Sequence, residues 1–308
     1  MNDIIINFLK LVIMRSCPIL TAALGEVINE RAGVLNLGCE GIMLIGAAVS
    51  FLTTYFTNNI LLGIIVAVIV CAFIGLLHAI LTVTLKANQL IIGLSIWIMG
   101  IGLSSLLYRV FIGIRQALPK IPILEDTKIP LLGNIPVIGP ILFSQNALVY
   151  LAYILVPLIY IILFKTSVGL NIRATGENPE AVDVLGVNVF RLRYLCVICG
   201  AALMGLGGSY LPLAEIGTFT EGITGGRGWI ALALVIFGRW NPIIIFLGSL
   251  LFSGVEVLQY YLQITTNVPY QFLLMLPYAT TIAVLVYVYR RAEAPAALAK
   301  PYERGERI

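Results

Sequence analysis

Apolar residues run along this chain in long blocks separated by short polar interruptions. The blocks fall at 4–24, 37–57, 60–84, 88–112, 147–164, 193–212, 226–238, 242–260 and 269–289. A helix crossing the ~30 Å hydrocarbon layer needs about 20 such residues. The pattern therefore predicts eight or nine transmembrane helices, all α, in a single domain over 1–308. Two blocks are irregular. The first holds Lys10, Arg15 and Pro18, which suits a kinked span or an interfacial helix followed by a half-span; the seventh is only about 13 residues long and starts in glycines.

The interruptions carry most of the information. Residues 24–41 place four glycines and four charges between two apolar runs, and 217–228 form a second glycine-rich break. Non-helical backbone survives at membrane depth only where protein buries it or where it lines a wet cavity. Paired broken segments in the two halves of a chain predict inverted repeats around a transport pathway. The competing reading is two plain interfacial loops. Among ionisable groups inside spans, the functional candidates are Glu40, His78 and Glu256. For each a structural role competes: Glu40 pairing with Arg31, His78 hydrogen-bonding a neighbouring helix, and Glu256 reaching the interface.

Two loops are long. Residues 113–146 hold Pro119, Pro122, Pro130, Pro136 and Pro140, which disfavour helix and predict a compact external cap or docking surface. Within the second, 165–193, Asn178 is a good N-cap, Pro179 fits the first helical position, Glu180 and Asp183 suit the helix dipole, and Gly186 can end the helix left-handed. A short rigid helix follows, with Ala181, Val184 and Leu185 on one apolar face that fits a groove on another protein or lies on the membrane. Small residues repeat every four positions at Ala201, Gly205 and Ser209, and also at Gly100 with Ser104 and Ser249 with Ser253, so helices can approach closely there.

Composition agrees with a membrane protein. Of 308 residues, 60% are AVILMFWYC and 11% are charged, with a mean hydropathy of +1.01, a surface that no water-soluble fold could hide. The +4 net charge matters by position, since Lys and Arg collect in cytoplasmic loops. Placing 165–193 inside puts twelve of nineteen basic residues inside: Arg31, Lys86, Lys165, Arg173, Arg191, Arg193, Arg239, Arg290, Arg291, Lys300, Arg304 and Arg307. Arg115, Lys120, Lys128 and Arg227 fall outside. The N-terminus is then external, and the 290–308 tail cytoplasmic. The five cysteines lie in or beside apolar segments and are expected to pack as small hydrophobes, the Cys196-x-x-Cys199 pair included.

Enzyme classes are excluded by what is missing. The aspartates are Asp3, Asp126 and Asp183, all outside spans, so no intramembrane aspartyl pair exists. There is no GxSxG, and one histidine cannot supply HExxH. A voltage-sensing arginine ladder and a TVGYG filter are also missing. With no Walker A motif, any ATP-driven work needs a partner's ATPase.

Three stretches carry a resemblance: 30–38 running into Glu40-Gly41, the 174–186 segment, and 225–242. They are similar to the permease subunits of bacterial ABC importers of the branched-chain amino acid, ribose and nucleoside superfamily. The first and third look closest to its nucleoside and simple-sugar branch. The family normally has about ten helices against the eight or nine expected here, so the resemblance implies that this chain lacks the usual first helix, in keeping with an external N-terminus.

The resemblance implies a multi-pass protein of the bacterial inner membrane. Its partners would be a cytoplasmic ABC ATPase carrying ATP and Mg, a second permease (a longer sibling, or a copy), and an external binding protein or lipoprotein, with no nucleic acid and no cofactor on this chain. Coupling residues carry over to Gly176, Asn178, Pro179, Ala181 and Gly186, with Glu177, Glu180 and Asp183 as this chain's charges beside them. The expected substrate is a nucleoside, then a simple sugar, then a branched-chain amino acid. Asn36, Glu40, Asn88, Gln89, Ser95 and Thr224 could offer it hydrogen bonds, and Trp97 or Trp229 could face a base; helix packing is the competing role for each. The rival class is a facilitator that needs no ATPase.

Overall fold

The computed structural model describes residues 2–113, 118–266, 268–289 and 293–304. The basic residues Arg115, Arg290, Arg291 and Arg307 lie outside them. Helix α1 (Asn2–Arg31) is followed by α2 (Cys39–Thr57), α3 (Ile60–Ala79, continued by a π-turn to Thr84) and α4 (Gln89–Phe111). The long loop holds two-residue strands β1 (Thr127–Lys128) and β2 (Ser144–Gln145), paired antiparallel, and α5 (Ile138–Leu142). Then come α6 (Ala147–Lys165), α7 (Ser167–Glu177), α8 (Pro179–Val184) and α9 (Val189–Tyr210, continued by a π-turn to Ile216). The half-length α10 (Arg227–Phe237), α11 (Pro242–Thr265), α12 (Tyr270–Leu274) and α13 (Leu276–Tyr289) complete the bundle. Seven helices are long and apolar enough to cross a membrane, and α10 and the α12–α13 pair are shorter apolar segments, so this is a multi-pass membrane protein.

The first block differs from its expected form. The chain does not break at residue 24 but stays helical to Arg31, with Pro18 inside a single helix. Its polar residues are not interfacial: Glu26, Asn29 and Glu30 are buried. Glu26 accepts from the Asn29 side chain (2.8 Å) and from the backbone N–H of Asn36 (2.8 Å). Glu30 accepts from the indole of Trp240 at 2.5 Å. These partners let the helix carry acids that the hydropathy pattern reads as an end.

At the centre α1 packs antiparallel on α9, Gly25 lying against Gly200 and Pro18 and Thr21 against Gly207. Each helix leads into a break, 32–38 after α1 and 217–226 after α9, and the two breaks enter from opposite ends. Lys10 pairs with Asp126 (2.6 Å), and Ile121 donates to Gly217 O (3.0 Å), so the start of α1, the long loop and the second break share one end. The first break lies at the other end, against Gly176, Arg193 and Ala297. We refer to these as the loop end and the α8 end.

Depth follows from α4. Leu35 N donates to the Gln89 side chain at the foot of α4, while Gly41 packs on Gly100, eleven residues and about 16 Å further along. The first break thus climbs to roughly half the bilayer thickness before α2 begins. In the second half, Arg31 donates to Trp240 O at 3.2 Å, which fixes the far end of α10 at the α8 end. Eleven residues of α10 then put its N-terminus about 16 Å in, at the same level.

Candidate functional site

At that level the two half-helices meet end to end. Glu40, in the first turn of α2, is buried and accepts from Thr224 Oγ1 (2.5 Å), Gly226 N (2.8 Å) and Gly228 N (2.6 Å). The acid of one broken helix therefore caps the N-terminus of the other, where orphan N–H groups and the helix dipole favour a carboxylate. Glu40 does not pair with Arg31, whose guanidinium is turned to the carbonyls of Arg239 and Trp240. Near the crossing, Trp97 and Trp229 stand edge to face, 5.2 Å between ring centroids.

The structure sorts the polar residues singled out in the sequence. Asn36, Glu40, Thr224, Trp97 and Trp229 are gathered at the two breaks. Asn36 shapes the first, its side chain accepting from Gly38 N at 2.9 Å. Gln89 braces the same break through Leu35. Asn88 and Ser95 are exposed and have local roles: Asn88 caps α4, and Ser95 donates to Ile91 O. His78 departs from expectation, being fully buried with neither ring nitrogen hydrogen-bonded among the described residues. Cys196 is buried and Cys199 exposed, both as free thiols.

Arg227 is a correction. It is not a loop charge but a buried side chain at the start of α10, bound to Glu256 at 2.6 Å and Glu215 at 3.5 Å. Arg15 meets the same two acids at 3.1 and 3.0 Å, so Glu256 faces inward and not the interface. Two arginines and two glutamates from α1, α9's π-turn, α10 and α11 thus form one cluster inside the bundle. Sequence reading missed it because Glu215 lies three residues past the expected end of its block, and Arg15 and Arg227 were separated by 212 positions. A second ion pair, Arg109 with Glu221 at 2.8 Å, ties the exposed tip of the second break to α4.

At the α8 end, the 165–193 segment is mostly helical where a loop with one short helix was expected. Thr166 caps α7 by accepting from Gly169 N (3.1 Å), and α7 buries Ile172, Thr175 and Gly176. Asn178 caps α8 through Ala181 N (3.0 Å) with Pro179 first in the helix, and Gly186 takes φ +85°, the left-handed stop. Val182 turns into the protein while Val184 and Leu185 are each 82% exposed, with Ala181 exposed beside them.

No local pattern in the chain announces that the tail straps this element down. Ala297 N donates to Gly176 O (2.8 Å), Ala296 N to Glu177 (3.2 Å) and Ala299 N to Gly33 O (3.3 Å). Tyr302 is buried with Val182 and Val189, and Arg304 grips Asp183 through two bonds of 2.7 and 2.8 Å. Lys86 pairs with Glu303. The Arg304 hydrogen bonds hold the Asp183 carboxyl below its usual range. A depressed carboxyl stabilises the strap above the ordinary aspartate pKa of about 3.9 and loses that contribution only as pH falls through its lower folded value. Cleavage of the tail by an exposed-site protease should accordingly be unchanged between neutral pH and the ordinary aspartate value, and rise only below it. A rise at mildly acidic pH would contradict the assignment.

A polytopic helical protein with two opposed, broken helices meeting at mid-depth has the architecture of a membrane transport subunit. The chain belongs to the family described as branched-chain amino acid transport system / permease component, whose model matches residues 8–285. Three relatives span nearly its whole length. It is 37% identical over 326 residues to the putative glucose ABC transporter permease protein TsgC13 of Haloferax volcanii, covering 97% of this chain and 98% of that protein. It is 37% identical over 306 residues to the guanosine ABC transporter permease protein NupQ of Bacillus subtilis, covering 95% of each. It is also 37% identical over 310 residues to the nucleoside ABC transporter permease protein NupC of Lactococcus lactis, covering 95% of this chain and 96% of that protein. No solved structure matches.

Proposed function

We propose that this chain is the permease subunit of an ABC importer that carries a small neutral solute, a nucleoside first, across a bacterial inner membrane. ATP and Mg would bind a separate ATPase. The observation that carries the reading is α8: a capped, strapped helix that projects two bare aliphatic side chains, Val184 and Leu185, away from the bundle. Leaving such side chains in water is unfavourable by about 1.5–3 kcal/mol each, and a groove on a partner would remove that cost. In this reading the α8 end is cytoplasmic, in line with its arginines and lysines, and Gly176, Glu177, Asn178, Pro179, Glu180, Ala181, Asp183 and Gly186 form the coupling element. The N-terminus and the long loop face outward, where an external binding protein would deliver substrate. A second permease of the same superfamily would complete the pathway.

The guanosine and nucleoside permeases among the relatives support nucleoside over simple sugar, and the glucose permease keeps sugar second. ATP binding would draw the coupling helices of the two permeases together and shift the packed α1–α9 pair between two arrangements.

The test uses side chains that the fold does not need. Val184→Asp combined with Leu185→Asp should abolish co-purification of the ATPase and ATP-driven uptake, while membrane insertion and the apparent Tm stay unchanged. Full co-purification of the double variant would refute the reading. Gly176→Val is not a clean alternative, because its side chain would collide with the Arg31 carbonyl. A facilitator would equilibrate labelled uridine in vesicles holding this chain alone, without ATP.

A further inference from the structure

The Arg15–Glu215–Arg227–Glu256 cluster borders a cavity of about 520 Å³, within the ~300–1,000 Å³ span of small-molecule sites. Its wall also holds Gln259 and Tyr260, and Thr224 and Gly225 of the second break form part of the lining. Thr224 is the residue that donates to Glu40, so the cavity adjoins the crossing of the two half-helices. We propose that this cavity is a substrate-binding station for an electrically neutral, polyhydroxylated ligand, of the nucleoside or simple-sugar class. The inference rests on the importer reading and assigns it a site.

Three observations lead there. First, four charges inside a membrane bundle are costly, and buried ion pairs are a weak way to stabilise a fold, which points to a use beyond packing. Second, the cluster sums to zero: two arginines against two glutamates. An anionic or cationic ligand would add an unbalanced charge to a low-dielectric site, whereas a neutral one would not. Third, the cluster is not saturated. Among the described residues, Glu215 Oε2 and Arg227 Nε are buried without a partner, one acceptor and one donor, and Arg227 is 8% exposed. A hydroxyl can donate to the first and accept from the second, and neighbouring hydroxyls on a sugar ring present both functions side by side. Tyr260 adds an aromatic face, already used by Arg15, whose guanidinium sits 4.6 Å from the ring centroid.

The experiment is cysteine protection in the purified transporter, permease with its ATPase. Ile223, which lines the cavity, is changed to Cys in a Cys199→Ser background, and its modification rate by a small methanethiosulfonate is followed by mass spectrometry. Uridine at about ten times its dissociation constant should slow modification about tenfold, while uridine 5′-monophosphate at the same concentration should not. Gln259→Ala should weaken the uridine effect. Absence of protection by uridine and D-glucose alike overturns the proposal, as does equal protection by the monophosphate. Protection by D-glucose and not uridine supports the site and reverses the order of nucleoside and sugar. Failure of the importer reading looks different: ATP-independent uridine equilibration by this chain alone, with the labelling result still standing.

Discussion

Glu40→Ala should lower the apparent Tm of the detergent-purified protein by about 4–24 °C and abolish uptake. The carboxylate satisfies two backbone N–H groups at the start of α10, Gly226 and Gly228, that have no other acceptor among the described residues. Stranding a buried donor costs about 1–3 kcal/mol, so the pair accounts for roughly 2–6 kcal/mol, and a protein of this size loses about 2–4 °C per kcal/mol. Function should suffer more than stability, since the same bonds hold the two half-helices at one level. Glu40→Gln separates the contributions. Its carbonyl can replace Oε1, which serves Thr224 and Gly226, but its amide cannot accept from Gly228. The glutamine variant should therefore retain more than half of the thermal stability that alanine loses. Equal behaviour of the alanine variant and the wild type would remove Glu40 from the centre of the fold.

What was legible in the sequence depended on range. Lengths of apolar runs gave the spans, and the capping residues of α8 gave that helix to the residue, because N-cap, first-turn proline and left-handed glycine act within a few positions. The two glycine-rich breaks were visible as well. Their meeting was not: Glu40 and Gly228 are 188 positions apart, and no local preference signals that a carboxylate here will cap a helix there. The end of α1 was misplaced for the same reason. Glu26 and Glu30 read as a polar interruption until Asn36 and Trp240 supply their hydrogen bonds. Charge neutrality in the Arg15–Glu256 cluster is likewise a property of four elements together, whereas position along the chain put Arg227 in a loop. His78 shows the converse, a polar residue expected to find a partner that packs without one among the described residues.

On the proposed importer reading, removing residues 293–308 should leave the partner ATPase bound and reduce solute imported per ATP hydrolysed by at least about tenfold, a change of ~1.4 kcal/mol in coupling. The strap reaches four parts of the bundle at once: α7–α8 through Gly176 and Asp183, the first break through Gly33, α9 through Arg193, and the turn before α4 through Lys86. Arg193 is 2% exposed and donates to Ala32 O and Lys300 O, both at 3.1 Å. Without the tail, one of its two carbonyl acceptors is gone, and burial of Tyr302 against Val182 and Val189 is lost as well. Both losses fall on the joint between α8 and the α1–α9 core, and the outward face of Val184 and Leu185 is untouched. A force applied at α8 would then move α8 against the bundle instead of moving the bundle. Arg304→Ala is the control: its guanidinium is 73% exposed, solvent screens such a pair so that it adds little, and coupling should fall by less than about fivefold. Uptake and ATPase rates measured side by side in proteoliposomes decide the matter. An unchanged ratio in the truncated protein would mean that α8 transmits motion through α7 and α9 alone.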